Sequence, residues 1–282
     1  MTEDRIHRAV SADGTEIAGR VRGQGPPLVL IHGGFGDGEF AWDELLAHLT
    51  DRFTCYLPST RGRGLSADNP DHSPPRLVED LTAFVDRIGE PVCLLSWSGS
   101  GEALGTAANS SAVAAVATYE PGVLSVARED DLAQVGAAIE QVGMAAAEGR
   151  HVDAVRAFAP GFCTDDEIAA LAKTNFFERW AGGIPAMLDF LQQDQSYEGP
   201  RSTDPEVLGQ ITVPVLLMVG RTTRLGLFAD SAQYLAQHVA DPQVRELQGV
   251  GHFAPMLAPE TIATELISFF ESVRPARGVP SG

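Results

Sequence analysis

The segment Val92-Cys-Leu-Leu-Ser-Trp-Ser-Gly-Ser-Gly-Glu102 determines which fold we predict for this chain. It begins with an apolar run, typical of a strand buried on both faces, and continues into a turn rich in serine and glycine. Residues 101–108, which follow, have the spacing of an amphipathic helix. A sharp turn between a buried strand and a helix exposes one side chain at the edge of a sheet. A serine at that turn is well placed to act as a nucleophile.

Three serines compete for the turn position, and steric space favours Ser98. Such a turn leaves room only for small residues two positions before and two positions after the turn residue. Ser98 has Ser96 and Ser100 at those positions, whereas the other two registers would place Leu94 or Glu102 there. The pattern is therefore S-x-S-x-S instead of the usual G-x-S-x-G. The alternative is a turn that only caps the following helix.

Similar apolar runs recur along the chain and predict a parallel sheet. Each is apolar on both faces, as expected of a strand that helices cover on both sides, and amphipathic stretches lie between them. These runs span residues 28–31, 53–57, 91–95, 113–119 and 213–219. Residues 5–10 and 16–21, joined by Ala12-Asp13-Gly14-Thr15, predict an antiparallel hairpin at one edge. We predict an α/β fold with a mostly parallel central sheet and helices on both faces.

The alternation of strands and helices stops after the sixth predicted strand. Residues 122–209 contain helical patterns, one of them over residues 165–180, and no convincing strand, and the alternation resumes at Val213. We therefore predict a core domain of residues 1–121 and 210–282, with a helical cap of residues 122–209 inserted into it. Such a cap would cover the carboxyl edge of the sheet, where open parallel sheets bind ligands.

Two further glycine-rich segments carry candidate catalytic groups. Leu30-Ile-His-Gly-Gly-Phe-Gly-Asp37 follows a predicted strand and has a flexible backbone. The N–H groups of Gly34 and Gly99 are candidates for an oxyanion hole. Gln248-Gly-Val-Gly-His-Phe253 places His252 on a loop between a predicted strand and a helix. A histidine at this edge of the sheet is a candidate general base for the serine.

Taken together and in order, these segments resemble the α/β-hydrolase fold superfamily, in its branch of capped serine hydrolases, over nearly the whole chain. The resemblance implies that His32 and Arg61 are structural residues of their loops. It also implies that the serine, the histidine and an acid form a catalytic triad. The matching segments are His32-Gly33-Gly34, Arg61-Gly-Arg-Gly-Leu-Ser66, the Ser98 turn, Tyr119-Glu120-Pro121 and Gly251-His252-Phe253.

The acidic member of the triad departs from the common pattern. Many relatives carry it as G-x-x-D after the strand that corresponds to residues 213–219, where this chain has Gly220-Arg-Thr-Thr223. A threonine hydroxyl cannot stabilise an imidazolium as a carboxylate does. Some branches place the acid after the preceding strand, where this chain has Glu120. We predict Glu120 as the orienting acid. The alternative is that Glu120 only organises the hinge of the cap, which would leave a serine–histidine dyad or an inactive protein.

The predicted pocket is mostly apolar. Phe35, Trp97 and Phe253 adjoin the oxyanion loop, the nucleophile and the base, and the cap contributes further aromatic side chains. Trp97 fits core packing beside the turn equally well. We predict a cofactor-independent hydrolase that cleaves an ester, lactone or thioester of a mostly apolar small molecule through an acyl-enzyme. The alternatives are a non-hydrolytic enzyme of the same fold, such as a cyclase, lyase or C–C bond hydrolase, or a non-catalytic ligand-binding protein.

Composition lowers the expectation of other classes of function. The 20 basic and 38 acidic residues give a formal charge of −18, which repels nucleic acids and anionic membranes. The three cysteines are far apart, and no zinc or nucleotide-binding motif is present, so we expect no metal and no cofactor. No long apolar segment occurs, and we expect a cytoplasmic protein. No pattern in the chain indicates an oligomeric state.

Overall fold

The structure is a computed structural model that describes residues 5–273, and its centre is an eight-stranded sheet. The strands lie in the order β1-β2-β4-β3-β5-β6-β7-β8. β1 and β2 form the predicted hairpin, β2 pairs antiparallel with β4, and all remaining pairs are parallel. The strands are β1 (Arg5–Val10), β2 (Glu16–Gly23), β3 (Pro27–Ile31), β4 (Thr54–Pro58), β5 (Val92–Trp97), β6 (Val113–Tyr119), β7 (Pro214–Gly220) and β8 (Asp241–Leu247). The predicted α/β fold with a mostly parallel sheet is confirmed.

Twelve α-helices occur within residues 5–273, and none of them is long and apolar enough to cross a membrane. α1 packs on α12, and α2 packs on α3. The helices are α1 (Asp43–Leu49), α2 (Pro74–Asp86), α3 (Gly101–Asn109), α4 (Glu129–Ala147), α5 (His151–Phe162), α6 (Asp165–Leu171), α7 (Phe176–Trp180), α8 (Ile184–Ser196), α9 (Pro205–Leu208), α10 (Leu227–His238), α11 (Ala254–Leu257) and α12 (Pro259–Ser272).

The fully described stretch between β6 and β7 contains α4 to α9 and no strand, so its predicted helical character agrees with the structure. One predicted helix, over residues 165–180, is instead two helices, α6 and α7. The Thr174 hydroxyl accepts a hydrogen bond from the N–H of Phe176 and donates one to the carbonyl of Leu171. A side chain that binds the backbone in this way competes with helical hydrogen bonds and ends the first helix.

The parallel strands bring their following loops to one edge of the sheet. In the register of the sheet, Trp97 at the end of β5 lies beside Tyr119 at the end of β6. Gly220 at the end of β7 likewise lies beside Leu247 at the end of β8. The loops after β3, β5, β6, β7 and β8 therefore meet at this edge. Every predicted catalytic residue lies on one of these loops.

The loop after β4 is held by Arg61, whose side chain is fully buried. Its guanidinium donates two hydrogen bonds to the carboxylate of Asp80 in α2, at 2.6 and 2.7 Å. It also donates to a carboxylate oxygen of Asp13 and to the carbonyl of Asp71. Burial opposes the charge and acts to lower the pKa of Arg61, but the bonds to Asp80 and Asp13 outweigh it and raise that pKa. These contacts agree with the loop-organising role that the resemblance implied.

We expect Arg61→Ala to lower the free energy of unfolding by about 3–5 kcal/mol, because it leaves the buried Asp80 carboxylate without its counter-charge. Equilibrium unfolding in urea measures the change. Arg150→Ala is the control, since Arg150 pairs with Asp153 at the surface, where ion pairs contribute little. Equal shifts of the unfolding midpoint in the two variants would contradict this expectation.

Candidate active site

The turn after β5 is centred on Ser98, which has a positive φ of 67°. Neither Ser96 nor Ser100 has a positive φ, so the sharp turn falls in the predicted register. A non-glycine residue in this conformation is strained, and such strain is concentrated at functional sites. The N–H of Ser98 donates to the carbonyl of Tyr119 at 2.9 Å, and its own carbonyl accepts from Gly122 at 3.0 Å. The turn is thus attached to the end of β6.

The two serines that replace the usual glycines bind each other beneath the turn. The Ser96 hydroxyl donates to the Ser100 hydroxyl at 3.1 Å, and the Ser100 hydroxyl donates to the carbonyl of Ser98 at 3.2 Å. Both side chains are buried. Serine is small enough for these positions, and its hydroxyl gains partners there. The S-x-S-x-S pattern is therefore compatible with the geometry of the turn.

Glu120 and His252 are in direct contact, although 132 residues separate them in the chain. The distance from His252 Nδ1 to Glu120 Oε2 is 2.7 Å, and both side chains are buried. Glu120 has a positive φ of 49°, and its N–H donates to the carbonyl of Met218 in β7. The carboxylate therefore fixes the imidazole with a proton on Nδ1, which leaves Nε2 as the acceptor.

Thr223, at the position where many relatives carry their acid, donates its hydroxyl proton to the same carboxylate. The distance from Thr223 Oγ1 to Glu120 Oε2 is 2.9 Å. The N–H of Gly220 donates to the other carboxylate oxygen at 3.0 Å. The Glu120 carboxylate thus accepts three hydrogen bonds, which fix its position beside His252. Sequence reasoning noted Thr223 only as a missing acid, not as a partner of Glu120.

We expect Thr223→Val to slow reaction of the enzyme with an active-site probe by about tenfold, because one charge-assisted hydrogen bond to the Glu120 carboxylate is lost. The rate of labelling by a fluorophosphonate measures the effect. Thr222→Val is a matched control, since the Thr222 side chain is exposed and makes no hydrogen bond within residues 5–273. Similar rates for both variants and the unmodified protein would contradict this role of Thr223.

The His252 loop is tied to the strands that carry the other candidate residues. The Trp97 indole N–H donates to the carbonyl of His252 at 2.9 Å, and the Tyr119 hydroxyl donates to the carbonyl of Gly251 at 2.5 Å. Burial, with the nearby Glu120 carboxylate, raises the pKa of Tyr119, which keeps its hydroxyl protonated as a donor. Phe228 of α10 stacks on the imidazole at 4.6 Å between ring centroids.

The hydroxyl of Ser98 makes no hydrogen bond to His252 among the described residues 5–273. Catalytic hydrogen bonds of this kind often tighten only when a substrate is bound. The backbone N–H groups of Gly34 and Gly99 likewise have no acceptor within the part of the chain that the structure describes. The two N–H groups stay candidate donors for an oxyanion.

The buried side chains of His32 and Arg63 hold the loop that carries Gly34 through hydrogen bonds. Burial, followed by the nearby charge of Arg63, lowers the pKa of His32 to about 3, so its imidazole is neutral. It donates to the carbonyl of Gly33 and accepts from the N–H of Thr60. Arg63 donates to the carbonyls of Gly34 and Gly36. Burial lowers the pKa of Arg63 to about 10, which still leaves it charged near pH 7.

The three predicted pocket residues are almost fully buried. Phe35, Trp97 and Phe253 are each 1% exposed. Trp97 and Phe253 pack edge to face at 5.0 Å, and Phe35 packs on Phe158 of α5 at 4.2 Å. Sequence reasoning did not select Met187 of α8, yet a Cβ atom added at Gly34 would lie 3.0 Å from Met187 Cε. This methionine therefore covers the candidate oxyanion loop.

Within residues 5–273, no group of three or more histidine, cysteine, aspartate or glutamate side chains is arranged to hold a metal ion.

Thr223, Arg63 and Met187 are residues of the candidate site that sequence reasoning did not assign. A signal was available for Thr223, because its position corresponds to that of an acid in related proteins. For Met187 no local signal existed, since its contact with Gly34 joins segments about 150 residues apart.

The fold and the arrangement at the sheet edge define the class of α/β hydrolases. A sequence model of the alpha/beta hydrolase family matches residues 28–265, and the chain belongs to this family. It is 25% identical to a 2-(acetamidomethylene)succinate hydrolase from Mesorhizobium japonicum over 95% of this chain and 96% of that protein. An alpha/beta hydrolase from Sphaerobacter thermophilus has a TM-score of 0.74 and 27% identity, over 93% of this chain and 99% of the other.

An esterase from a Rhodococcus species also shares the fold, with a TM-score of 0.74 and 23% identity over 95% of this chain and 99% of that structure. These similarities confirm the predicted superfamily. The protein is a hydrolase of the α/β fold.

Proposed function

We propose that the protein is a serine hydrolase in which Ser98, His252 and Glu120 form the catalytic triad. The observation that carries the proposal is the 2.7 Å contact between His252 Nδ1 and a buried carboxylate that accepts two further hydrogen bonds. The strained conformation of Ser98 at the turn after β5 supports its role as the nucleophile. A buried histidine oriented by a carboxylate at the same sheet edge is the arrangement that activates a serine hydroxyl.

In this mechanism, the Ser98 hydroxyl attacks the carbonyl carbon of the substrate while His252 Nε2 accepts its proton. Glu120 stabilises the imidazolium that forms. The N–H groups of Gly34 and Gly99 bind the oxyanion, and the charge of Arg63 behind the loop favours the same negative charge. The imidazolium then protonates the leaving group, and an acyl-Ser98 ester remains. Water, deprotonated by His252, hydrolyses that ester and regenerates the serine.

We further propose that residues 122–209 form a cap over this edge of the core domain predicted as residues 1–121 and 210–282, of which the structure describes residues 5–121 and 210–273. The packing of Phe158 on Phe35 and the position of Met187 over Gly34 support the proposal. Trp97 and Phe253 pack on each other at the same edge and add further aromatic surface. This environment favours a small molecule with an apolar acyl part, bound as an ester, a lactone or a thioester.

The test is reaction with a fluorophosphonate, followed by intact-mass analysis and peptide mapping. One adduct, on Ser98, is the expected result. Hydrolysis is then measured on short-chain esters, a lactone and a thioester. An acetamide is included because the Mesorhizobium relative is named a 2-(acetamidomethylene)succinate hydrolase. A folded protein that gives no adduct would contradict the proposal and favour non-hydrolytic chemistry on the same fold.

A further inference from the structure

Glu167 in the first turn of α6 is a buried carboxylate that the proposed mechanism does not use. It is 8% exposed. Its Oε1 accepts a hydrogen bond from the N–H of Phe253 at 2.8 Å, although 86 residues separate the two in the chain. Phe253 directly follows His252. A charged side chain of the helical segment between β6 and β7 therefore binds the backbone of the loop that carries the candidate base.

The same carboxylate also contacts the residue before His252. A Cβ atom added at Gly251 would lie 2.7 Å from Glu167 Oε1, closer than such atoms approach in proteins. Gly251 does not have a positive φ, so the backbone itself does not require glycine at this position. A side chain at position 251 would instead have to displace the Glu167 carboxylate. The carboxylate thus binds the residue after His252 and fills the space that a side chain on the residue before it would need.

Capping of α6 accounts for only some of the contacts that the Glu167 carboxylate makes. Glu167 forms a capping box with Thr164: its Oε2 accepts from the Thr164 N–H at 2.9 Å and from the Thr164 hydroxyl at 3.2 Å, and its own N–H donates to the Thr164 hydroxyl. A capping box stabilises the start of a helix through these bonds alone. It needs neither burial of the carboxylate nor a bond from its second oxygen to Phe253. Burying a charge is costly unless it is bonded, and here the bond that completes its environment is to the histidine loop.

We propose that Glu167 is a positioning residue that attaches the helical segment between β6 and β7 to the loop of His252. This inference rests on the proposed role of His252 as the general base. The other polar groups around the loop hold it from the core: Trp97 binds the carbonyl of His252, and Tyr119 binds that of Gly251. Glu167 is the carboxylate that holds it from the helical side. The alignment of His252 therefore depends on the docking of α6 onto the core.

Three variants separate positioning from helix capping. Glu167→Ala removes the acceptor for the Phe253 N–H. We expect it to slow fluorophosphonate labelling of Ser98 by about 100-fold, because small displacements of a catalytic group have effects of this size. Glu167→Gln keeps one acceptor oxygen, which can bind the Phe253 N–H while the N–H₂ group donates to the Thr164 hydroxyl. We expect its labelling rate to lie within a few-fold of that of the unmodified protein. Thr164→Ala removes the hydroxyl bonds of the capping box but leaves the Thr164 N–H and the Phe253 N–H bound to the carboxylate. We expect it to lower the melting temperature and to keep the labelling rate within a few-fold of that of the unmodified protein.

A second measurement reports on His252 independently of Ser98. The proton on Nδ1, hydrogen-bonded to Glu120, gives a low-field proton resonance, which is assigned by its absence in His252→Ala. We expect Glu167→Ala to broaden or remove this resonance and Thr164→Ala to retain it. Gly251→Ala tests the same contact if Glu167→Ala does not fold, because its Cβ displaces the carboxylate. It is expected to weaken the resonance in the same way.

The two proposals fail in different ways. If the unmodified protein gives no adduct on Ser98, the proposed function is contradicted, and the resonance still reports whether Glu167 positions His252. If the resonance and the labelling rate are both unchanged in Glu167→Ala and Gly251→Ala, Glu167 only caps α6 and the positioning role is overturned. Equal losses in Thr164→Ala and Glu167→Ala would overturn it as well.

Discussion

Replacing Ser98 with alanine is expected to abolish fluorophosphonate labelling and to reduce hydrolysis by about 10⁶-fold. Ser98 is half-buried, and it is the serine of the turn after β5 that has the strained, positive φ typical of a nucleophile at such a turn. The adjacent Ser96 and Ser100 are buried and bind each other, so neither is positioned to replace it. Residual turnover would come from binding and the oxyanion donors alone.

Ser100→Ala is the matched control for this experiment. It removes a hydroxyl from the same turn, together with its bonds to Ser96 and to the carbonyl of Ser98, but leaves the nucleophile in place. We expect it to be labelled, with a modest loss of rate and of melting temperature. Intact-mass analysis after a fixed exposure to the probe compares the two variants. Persistent labelling of Ser98→Ala at an unmodified rate would place the nucleophile elsewhere.

Replacing Glu120 with glutamine is expected to reduce the labelling rate by about 10⁴-fold. The carboxylate accepts bonds from His252, Thr223 and the N–H of Gly220, which all donate. An amide of the same shape offers one acceptor oxygen and one N–H₂ group. Whichever way it is turned, at least one donor faces another donor. The imidazole then loses either its orientation or its counter-charge.

The double variant Glu120→Gln, Thr223→Asp tests whether the acid can be moved. Thr223 Oγ1 lies 2.9 Å from the carboxylate oxygen that binds His252, so an aspartate at position 223 brings its charge to the same nitrogen. We expect the double variant to react at least tenfold faster than Glu120→Gln. Thr223→Asp alone is expected to lose activity, because two like charges would share one site. Full activity in Glu120→Gln would instead indicate a serine–histidine dyad.

Sequence patterns were sufficient to predict the fold and the register of the turn at Ser98. The strands that cross the centre of the sheet are apolar on both faces, and this property is readable from a few consecutive residues. The same holds for the small residues around Ser98, since the steric requirement of the turn acts between positions two residues apart. The strands and the helical segment between β6 and β7 followed from patterns of this local kind.

The break between α6 and α7 was not predicted, because it depends on a competition between the Thr174 hydroxyl and helical hydrogen bonds. Both alternatives use the same few residues, and their apolar spacing continues through the break. Trp97 illustrates a different difficulty. Its aromatic side chain suited either a pocket wall or the core. In the structure its indole N–H binds the carbonyl of His252, which is 155 residues away in the chain, so no neighbouring residue could indicate this contact.

Local sequence thus determined the elements and the types of residue at the sheet edge, because strand burial and turn sterics act between near neighbours. Only the tertiary structure decided which of those residues meet. Glu120, Thr223 and His252 come together because parallel strands end at one edge, and the register between strands brings positions more than 100 residues apart within hydrogen-bond distance. The bond from Phe253 to Glu167 arises in the same way, from the docking of α6 on the core. Such contacts depend on the packing of whole elements, which no local pattern contains.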